Sequence, residues 1–410
     1  MDGTLARGQE YLLQFIRATH DHVPAERTVS PEPARRDRLR WAVGLLFLGL
    51  GVALALNPRR CIDFTVFRTA GARWLAGTSL YRAEDGPMPF KYAPPVAALL
   101  APLALLPRVV GAVLWNTGSV LMLLLSLRRL SRVDGAPDGV DGSWAALALA
   151  GPIGTVLFYG QVDLWLLGLL VLAAAAVRAR DGGGTALGLS VLTKPPAVLA
   201  GLFFLGRRRW TALAVAGGVV LLAFALFALR TGGGALLREL SAWRELVERS
   251  TLEWVTGPNP QGLPTLVLDV AGWLGTHPSA QGLALAQLSA VLLFGALVLA
   301  LREDPGAAFR MTCLAVAMCS PLAWRANFVL ALPAMRRVVA AARAGDGFSR
   351  LVLAGVVLAT VFTSGVLLDR TATERVLAFR PWGLLGLLLV VVEFSASRPP
   401  RTVRGAGSPG

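Results

Sequence analysis

Four stretches of this chain set polar side chains among apolar ones. In "LALNPRRCIDFTVFRTAG", Leu54 to Gly71, a single carboxylate, Asp63, follows an apolar run and two arginines. In "FYGQVDLW", residues 158–165, Gln161 and Asp163 occupy a tight turn between two apolar segments. "LSVLTKPPAVL", residues 189–199, places Lys194 before a double proline. "CSPLAWRANFVLALP", residues 319–333, interrupts an apolar run with Arg325 and Asn327 beside Trp324. A charge at the centre of a bilayer costs roughly 2.5–3.5 kcal/mol even on the lenient insertion scale, so such groups need a partner or a function. For Asp63 two readings stand open: a surface ion pair with Arg59, Arg60 or Arg68, or a general base that takes a proton from a sugar or alcohol hydroxyl. Asp163 is either the cap of the following helix or, with Gln161, a ligand contact. Lys194 and Arg325 are either interfacial anchors or cations for a phosphate. No Cys–His or Ser–His pair competes with the base, since His20 and His22 lie near the N-terminus and His277 in a later loop.

The surrounding composition says where these groups must work. Of 410 residues, 55% are hydrophobic and 16% charged, against the roughly 25% charged of soluble domains. Several runs of about 18 uncharged residues are long enough to cross a hydrocarbon core. Their lack of period-2 alternation means helices and not a barrel. The net charge of +15 is carried almost wholly by arginine, the only lysines being Lys91 and Lys194. These arginines punctuate apolar segments and form no basic domain. Nucleic acid is therefore excluded as a partner, and arginine-rich cytoplasmic loops with an anionic lipid or substrate account for the charge. Cys61, Cys313 and Cys319 have neither metal-ligand spacing nor a disulfide framework, so no metal is expected. About forty mostly polar residues precede the first apolar run, which reads as an uncleaved anchor.

The basic cluster "ARRDRLR" puts a tail, 1–40, in the cytoplasm and a first span at 41–57. The loop 58–91 that carries Asp63 repeats Phe64, Phe67, Ala70, Trp74 and Leu75 at helical spacing, which predicts an amphipathic helix on the membrane surface. Further spans are expected at 93–107, 109–127, 144–158, 161–177, 185–205, 211–229, 284–301, 311–335, 351–368 and 381–396. A second large loop, 230–283, predicts another interfacial helix with Leu236, Leu240, Trp243 and Val247 on one face. Segments 185–205 and 311–335 have arginines on both flanks and breakers inside, which predicts broken or re-entrant helices. The expected architecture is an all-α polytopic membrane bundle of ten to twelve helices. A single catalytic domain occupies 41–396, with a disordered tail at 397–410.

The order of the motifs resembles glycosyltransferase family 87. Asp63, then Gly77 and Tyr81, "FKYAPP" with Lys91 and Tyr92, "GQVD", "LTKPP", "RRRW" and a late "SPLAW" follow its pattern over about residues 60–335. The resemblance implies a GT-C fold and a bacterial plasma-membrane enzyme with its active site outside the cytoplasm. It implies a polyprenyl-phosphate-linked donor of mannose and a lipid or glycan acceptor, with no cofactor. On the matching positions it makes Asp63 the base of an inverting transfer. Lys91, Lys194 and Arg325 become the cations for the donor phosphate; Tyr81, Tyr92, Gln161, Asp163, Trp324 and Asn327 become substrate contacts. Related sequences carry Asn where this chain has Asp163, and histidine in the segment that here reads Arg325, Ala326 and Asn327. Another polyprenyl-phosphate sugar such as arabinofuranose is the alternative donor. A lipid-linked-sugar flippase is the non-enzymatic alternative, against which stands the lack of two related halves.

Overall fold

In lipid each backbone N–H and C=O must be paired within the protein, and every regular element among the described residues is helical. The computed structural model describes residues 33–86, 88–135, 139–178, 182–277 and 279–396. Most of the N-terminal tail, with His20 and His22, and the C-terminal tail 397–410 lie outside them. Helix α1 is Pro33–Leu56, so the basic cluster expected in the tail belongs to the helix. Helix α2, Ile62–Ala76, carries Asp63 in its first turn, and α3 is Pro94–Ala104. Helix α4, Arg108–Asp134, is followed by α5, Asp141–Ala148, and α6, Ala150–Tyr159, bent at 64° to each other. Then come α7, Asp163–Arg178, α8, Gly184–Thr193, and α9, Ala200–Gly206. Helices α10, Trp210–Thr231, and α11, Gly233–Val255, are divided only by Gly232. Next are α12, Leu263–Trp273, α13, Ala280–Ala300, and α14, Pro305–Met318. The described chain ends with α15, Leu332–Arg343, α16, Gly347–Phe362, α17, Arg370–Ala378, and α18, Pro381–Ala396.

Among the described residues, by length and composition, five helical stretches can cross a membrane, or six with the bent pair, and seven shorter apolar helices of 10–17 residues accompany them. Several expected spans are therefore assembled from pieces. Segment 185–205 breaks at Lys194, which is extended (φ −152°, ψ 111°) as the residue before a proline must be. A short 3₁₀ turn, Pro195–Leu199, then leads into α9. Segment 311–335 breaks after Met318 and resumes as a 3₁₀ turn at Arg325–Ala331. The arginines flanking that segment are not loop anchors. Arg310 is buried and bonds Glu393 at 2.8 Å, while Arg336 bonds both oxygens of Asp134, tying α14 to α18 and α15 to α4.

Helix α2 buries Phe64, Phe67, Ala70, Gly71 and Trp74; the expected Leu75 is exposed, and Gly71 takes its place against α3. A Cβ on Gly71 would come within 2.9 Å of the Ala101 Cα, so the two helices are in backbone contact. The start of α2 is held from below by the α6–α7 turn. Cys61 adopts φ 54° and donates its N–H to the Phe158 carbonyl at 2.8 Å. Gly160 closes α6 at φ 71°, its carbonyl accepting from Trp115 Nε1, and a Cβ there would meet the Phe64 Cβ at 2.9 Å. Both the left-handed backbone and the lack of space require glycine at this turn. Gly160→Ala is expected to cost about 1–3 kcal/mol and to lower the melting temperature in detergent by several degrees. A melt within a degree of the parent would show that the α2–α6 contact is not held by this turn.

Candidate active site

A cavity of about 670 Å³ opens between α2, the "FKY" segment, the α6–α7 turn, the Lys194 break, α11, α13 and the segment before the Arg325 turn. Its volume lies in the range of small-molecule sites. Eight of the ten sequence-derived residues line it: Asp63, Lys91, Tyr92, Gln161, Asp163, Lys194, Trp324 and Asn327. Both lysines of the chain thus face one space.

Each polar group is placed by a local feature. Asp63 stands in the first turn of α2, where the N–H groups of the helix end favour a carboxylate by about 0.3–1 kcal/mol. Burial outweighs that, and with Asp163 close by it raises the Asp63 carboxyl from 3.8 to about 6, against a hydrogen bond from Gln161 and the fields of Lys194 and Lys91. Among the described residues Asp63 forms no ion pair with Arg59, Arg60 or Arg68, so the surface-pairing reading falls away. Asp163 is the first residue of α7 and almost fully buried; its Oδ1 accepts from Lys194 Nζ at 2.7 Å. The double proline ends α8 at Lys194 and turns this ammonium toward the cavity.

Lys91 has no carboxylate hydrogen-bonded to it among the described residues. Its ammonium lies 5.7 Å from the centroid of the Trp254 ring, and burial draws its pKa down from 10.5 against the fields of Glu253 and Asp63. Its backbone is pinned by Trp243 Nε1, which donates to the Lys91 carbonyl at 2.9 Å. Two buried polar atoms on the lining residues have no partner among the described residues: Gln161 Oε1 and Asn327 Nδ2. They are an acceptor and a donor of the kind that sugar hydroxyls satisfy.

Two expected residues are not in the lining. Tyr81 lies behind it, stacked on Phe90, with its hydroxyl donating to the Tyr92 carbonyl at 2.6 Å. Arg325 begins its 3₁₀ turn beside Trp324 but away from the cavity, with Nη1 buried and unpartnered. A turn of three residues explains the split: Trp324 and Asn327 face one way and Arg325 another. The sequence reading omitted the apolar half of the cavity. Val247, Thr251 and Trp254 of α11 face Leu283 and Ala284 of α13 and Leu322. The amphipathic face that contains Trp243 and Val247 was the available signal; in α13 only Gln287 stands out among the apolar residues that reach the cavity.

The model of glycosyltransferase family 87 matches residues 90–324. The chain is 34% identical to the polyprenol-phosphate-mannose-dependent α-(1-2)-phosphatidylinositol pentamannoside mannosyltransferase of Mycolicibacterium smegmatis, over 48% of the chain and 52% of that protein. It therefore aligns with about half the length of this relative. It is 28% identical to the phosphatidylinositol mannoside mannosyltransferase of the same organism, over 88% of the chain and 90% of the relative. With the Mycobacterium tuberculosis protein of that description, identity is 28% over 78% of the chain and 82% of the relative. Among solved structures, ArnT from Cupriavidus metallidurans bound to undecaprenyl phosphate aligns at a TM-score of 0.41 and 15% identity, covering 88% of the chain and 77% of ArnT.

The Lys194–Asp163 contact predicts non-additive stability. Lys194→Met leaves Asp163 buried and unpaired, whereas Lys194→Met with Asp163→Asn removes both charges. The double variant is expected to melt higher than Lys194→Met, with a coupling of about 1–3 kcal/mol in a double-mutant cycle. Additive losses would show that the two groups do not interact.

Proposed function

The chain belongs to glycosyltransferase family 87, and from that membership we propose that it moves mannose from a polyprenyl-phosphate donor to a hydroxyl of a lipid acceptor, with Asp63 as the base. That it is a multi-pass membrane glycosyltransferase follows from the family and from its apolar helices. The donor, the acceptor, the stereochemistry, the GT-C topology and the residue roles are the proposal. Mannose and a mannosylated phosphatidylinositol are what the relatives are named for. The observation that carries the reading is the meeting of Asp63 with both lysines in one cavity.

In the proposed reaction Asp63 accepts the proton of the acceptor hydroxyl as its oxygen forms a bond to the anomeric carbon. The bond from that carbon to the phosphate oxygen breaks, and the electron pair leaves with the polyprenyl phosphate. With Asp163 held by Lys194, Asp63 is left as the carboxylate free to act, which fits direct displacement with inversion. Charge grows on the leaving phosphate, and a fixed cation in a water-poor site lowers its energy. Lys91 is the better placed, because Lys194 is already engaged by Asp163. Gln161 orients Asp63, and Asn327, Trp324 and Tyr92 contact the sugar. The apolar faces of α11 and α13 take the polyprenyl chain. The arginines at the start of α1 support, through the positive-inside rule, a cytoplasmic N-terminus and a cavity on the far side of a bacterial plasma membrane.

A carboxyl raised to about 6 is protonated below that pH and competent above it. With purified protein, a radiolabelled polyprenyl-phosphate mannose and a lipid extract, kcat/KM is expected to rise through an apparent pKa near 6 and then level. Asp63→Asn is expected to lose about 10²–10⁴-fold in rate while melting no lower than the parent. Wild-type turnover by the Asn variant would end the base assignment. Lys91→Ala is expected to raise the donor KM at least tenfold, with partial recovery in Lys91→Arg. An unchanged donor KM would move the phosphate elsewhere in the cavity.

A further inference from the structure

Behind α2, on the side away from the cavity, lies a group of arginines for which the transfer reaction has no use. We propose that Arg60, Arg68 and Arg108 form a site for the phosphodiester of a membrane phospholipid, with Arg59 at its rim. The three converge through backbone contacts on one corner of the fold. Arg108 Nη2 donates to the Arg60 carbonyl, and Arg68 Nε donates to the Leu106 carbonyl at 3.3 Å. The Arg60 guanidinium lies over the Phe158 ring, 4.2 Å from its centroid. Their polar contacts are to carbonyl oxygens and a ring face, and among the described residues no carboxylate stands within ion-pair distance of any of the four arginines. Arg108 Nη1 is buried with no hydrogen-bond partner.

The nearest acid in sequence does not supply the missing charge. Asp63 is hydrogen-bonded by Gln161 and feels Lys194 and Lys91, not these arginines. Arg60, Arg68 and Arg108 are each half-buried, so part of every guanidinium stays at the surface, and Arg59 beside them is exposed. Around them the surface is apolar and exposed: Leu56 at the end of α1, Ile62 at the start of α2, Leu105 just past α3, and Val109 and Leu114 in the first two turns of α4. Guanidiniums beside an apolar wall match a phospholipid, whose phosphate accepts paired N–H bonds while its chains lie along the helices. A half-buried guanidinium with an empty donor is costly unless an anion fills it.

The site stands whether or not the chain transfers mannose, because it uses no residue of the cavity. The full chain, purified and exchanged into nanodiscs of phosphatidylcholine with a minor share of phosphatidylglycerol, is released and read by native mass spectrometry. The parent is expected to retain phosphatidylglycerol. Arg60→Gln with Arg108→Gln is expected to retain at least tenfold less, and Arg60→Lys with Arg108→Lys an intermediate amount. Arg249→Gln, an exposed arginine of α11, is expected to behave as the parent. Equal retention by parent and Gln variant overturns the site, as does displacement of the lipid by millimolar inorganic phosphate. The lysine pair guards against misfolding, since a folded Lys variant with parental retention and an unfolded Gln variant would also refute the bidentate geometry. A transfer assay separates the two sources of the phosphodiester. A higher acceptor KM that added phosphatidylglycerol does not relieve assigns the site to the acceptor's own phosphate. A rate loss restored by excess phosphatidylglycerol assigns it to the bulk lipid.

Discussion

Two aspartates and two lysines share one desolvated cavity, and the cost of holding charge there decides what each can do. Asp163 and Lys194 cancel each other across 2.7 Å. Such a pair repays its desolvation only when the geometry is close, and either member alone would be expensive. With that pair closed, Asp63 and Lys91 are left to face the cavity. The difference between 3.8 and about 6 for Asp63 corresponds to about 3 kcal/mol, more than the helix end can return. Because its folded pKa lies above its unfolded one, the stability it contributes is complete below about pH 3.8 and is lost as pH rises through about 6. At neutral pH the fold therefore carries a strained carboxylate, a burden typical of a residue kept for activity.

That burden requires a stiff support, and the support comes from buried neighbours. Asn116, on α4, donates from Nδ2 to the carbonyls of Gly51 on α1 and Leu157 on α6. Its contacts bind the three helices around Cys61, whose left-handed backbone starts α2. On the far side of the cavity, Trp243 and Tyr81 hold the carbonyls of Lys91 and Tyr92. Arg73 reaches both oxygens of Asp85 and the Leu80 carbonyl, folding the intervening loop back on α2. The loop expected at 58–91 is thus an ordered wall of the site. Its order comes from contacts distant in sequence, such as Leu80 to Glu239.

The membrane class, the helix around Asp63 and the breaks at Lys194 and after Met318 were legible because each has a local cause: hydropathy, a 3.6-residue period, a proline. The same holds for Asp63, Gln161, Asp163, Lys194 and Asn327, which stand out as polar exceptions in apolar surroundings, whereas Lys91, Tyr92 and Trp324 came with the family motifs. What could not be read was direction. Arg325 and Asn327 are equally exceptional in "SPLAWRANF", yet only one lines the cavity, since a 3₁₀ turn and not an α-helix carries them. Tyr81 sat in a matching motif but serves the backbone of Tyr92. The flanking arginines Arg310 and Arg336 looked like loop anchors because their partners, Glu393 and Asp134, are far away in sequence. Helix α12 was absorbed into a loop, as its eleven residues are too few to register as a span.

Helix α2 divides two kinds of positive charge, and the division bears on how a charged lipid is handled. On its cavity side the cations are lysines, one paired with Asp163 and one over Trp254. On its outer side they are arginines with carbonyl contacts and a spare donor. An ammonium is a compact point charge that can follow a phosphate as it leaves, whereas a guanidinium fork holds a phosphodiester in one orientation. A leaving group needs the first and a resident headgroup the second. The chain uses arginine almost everywhere else, and both of its lysines lie on the cavity side of α2.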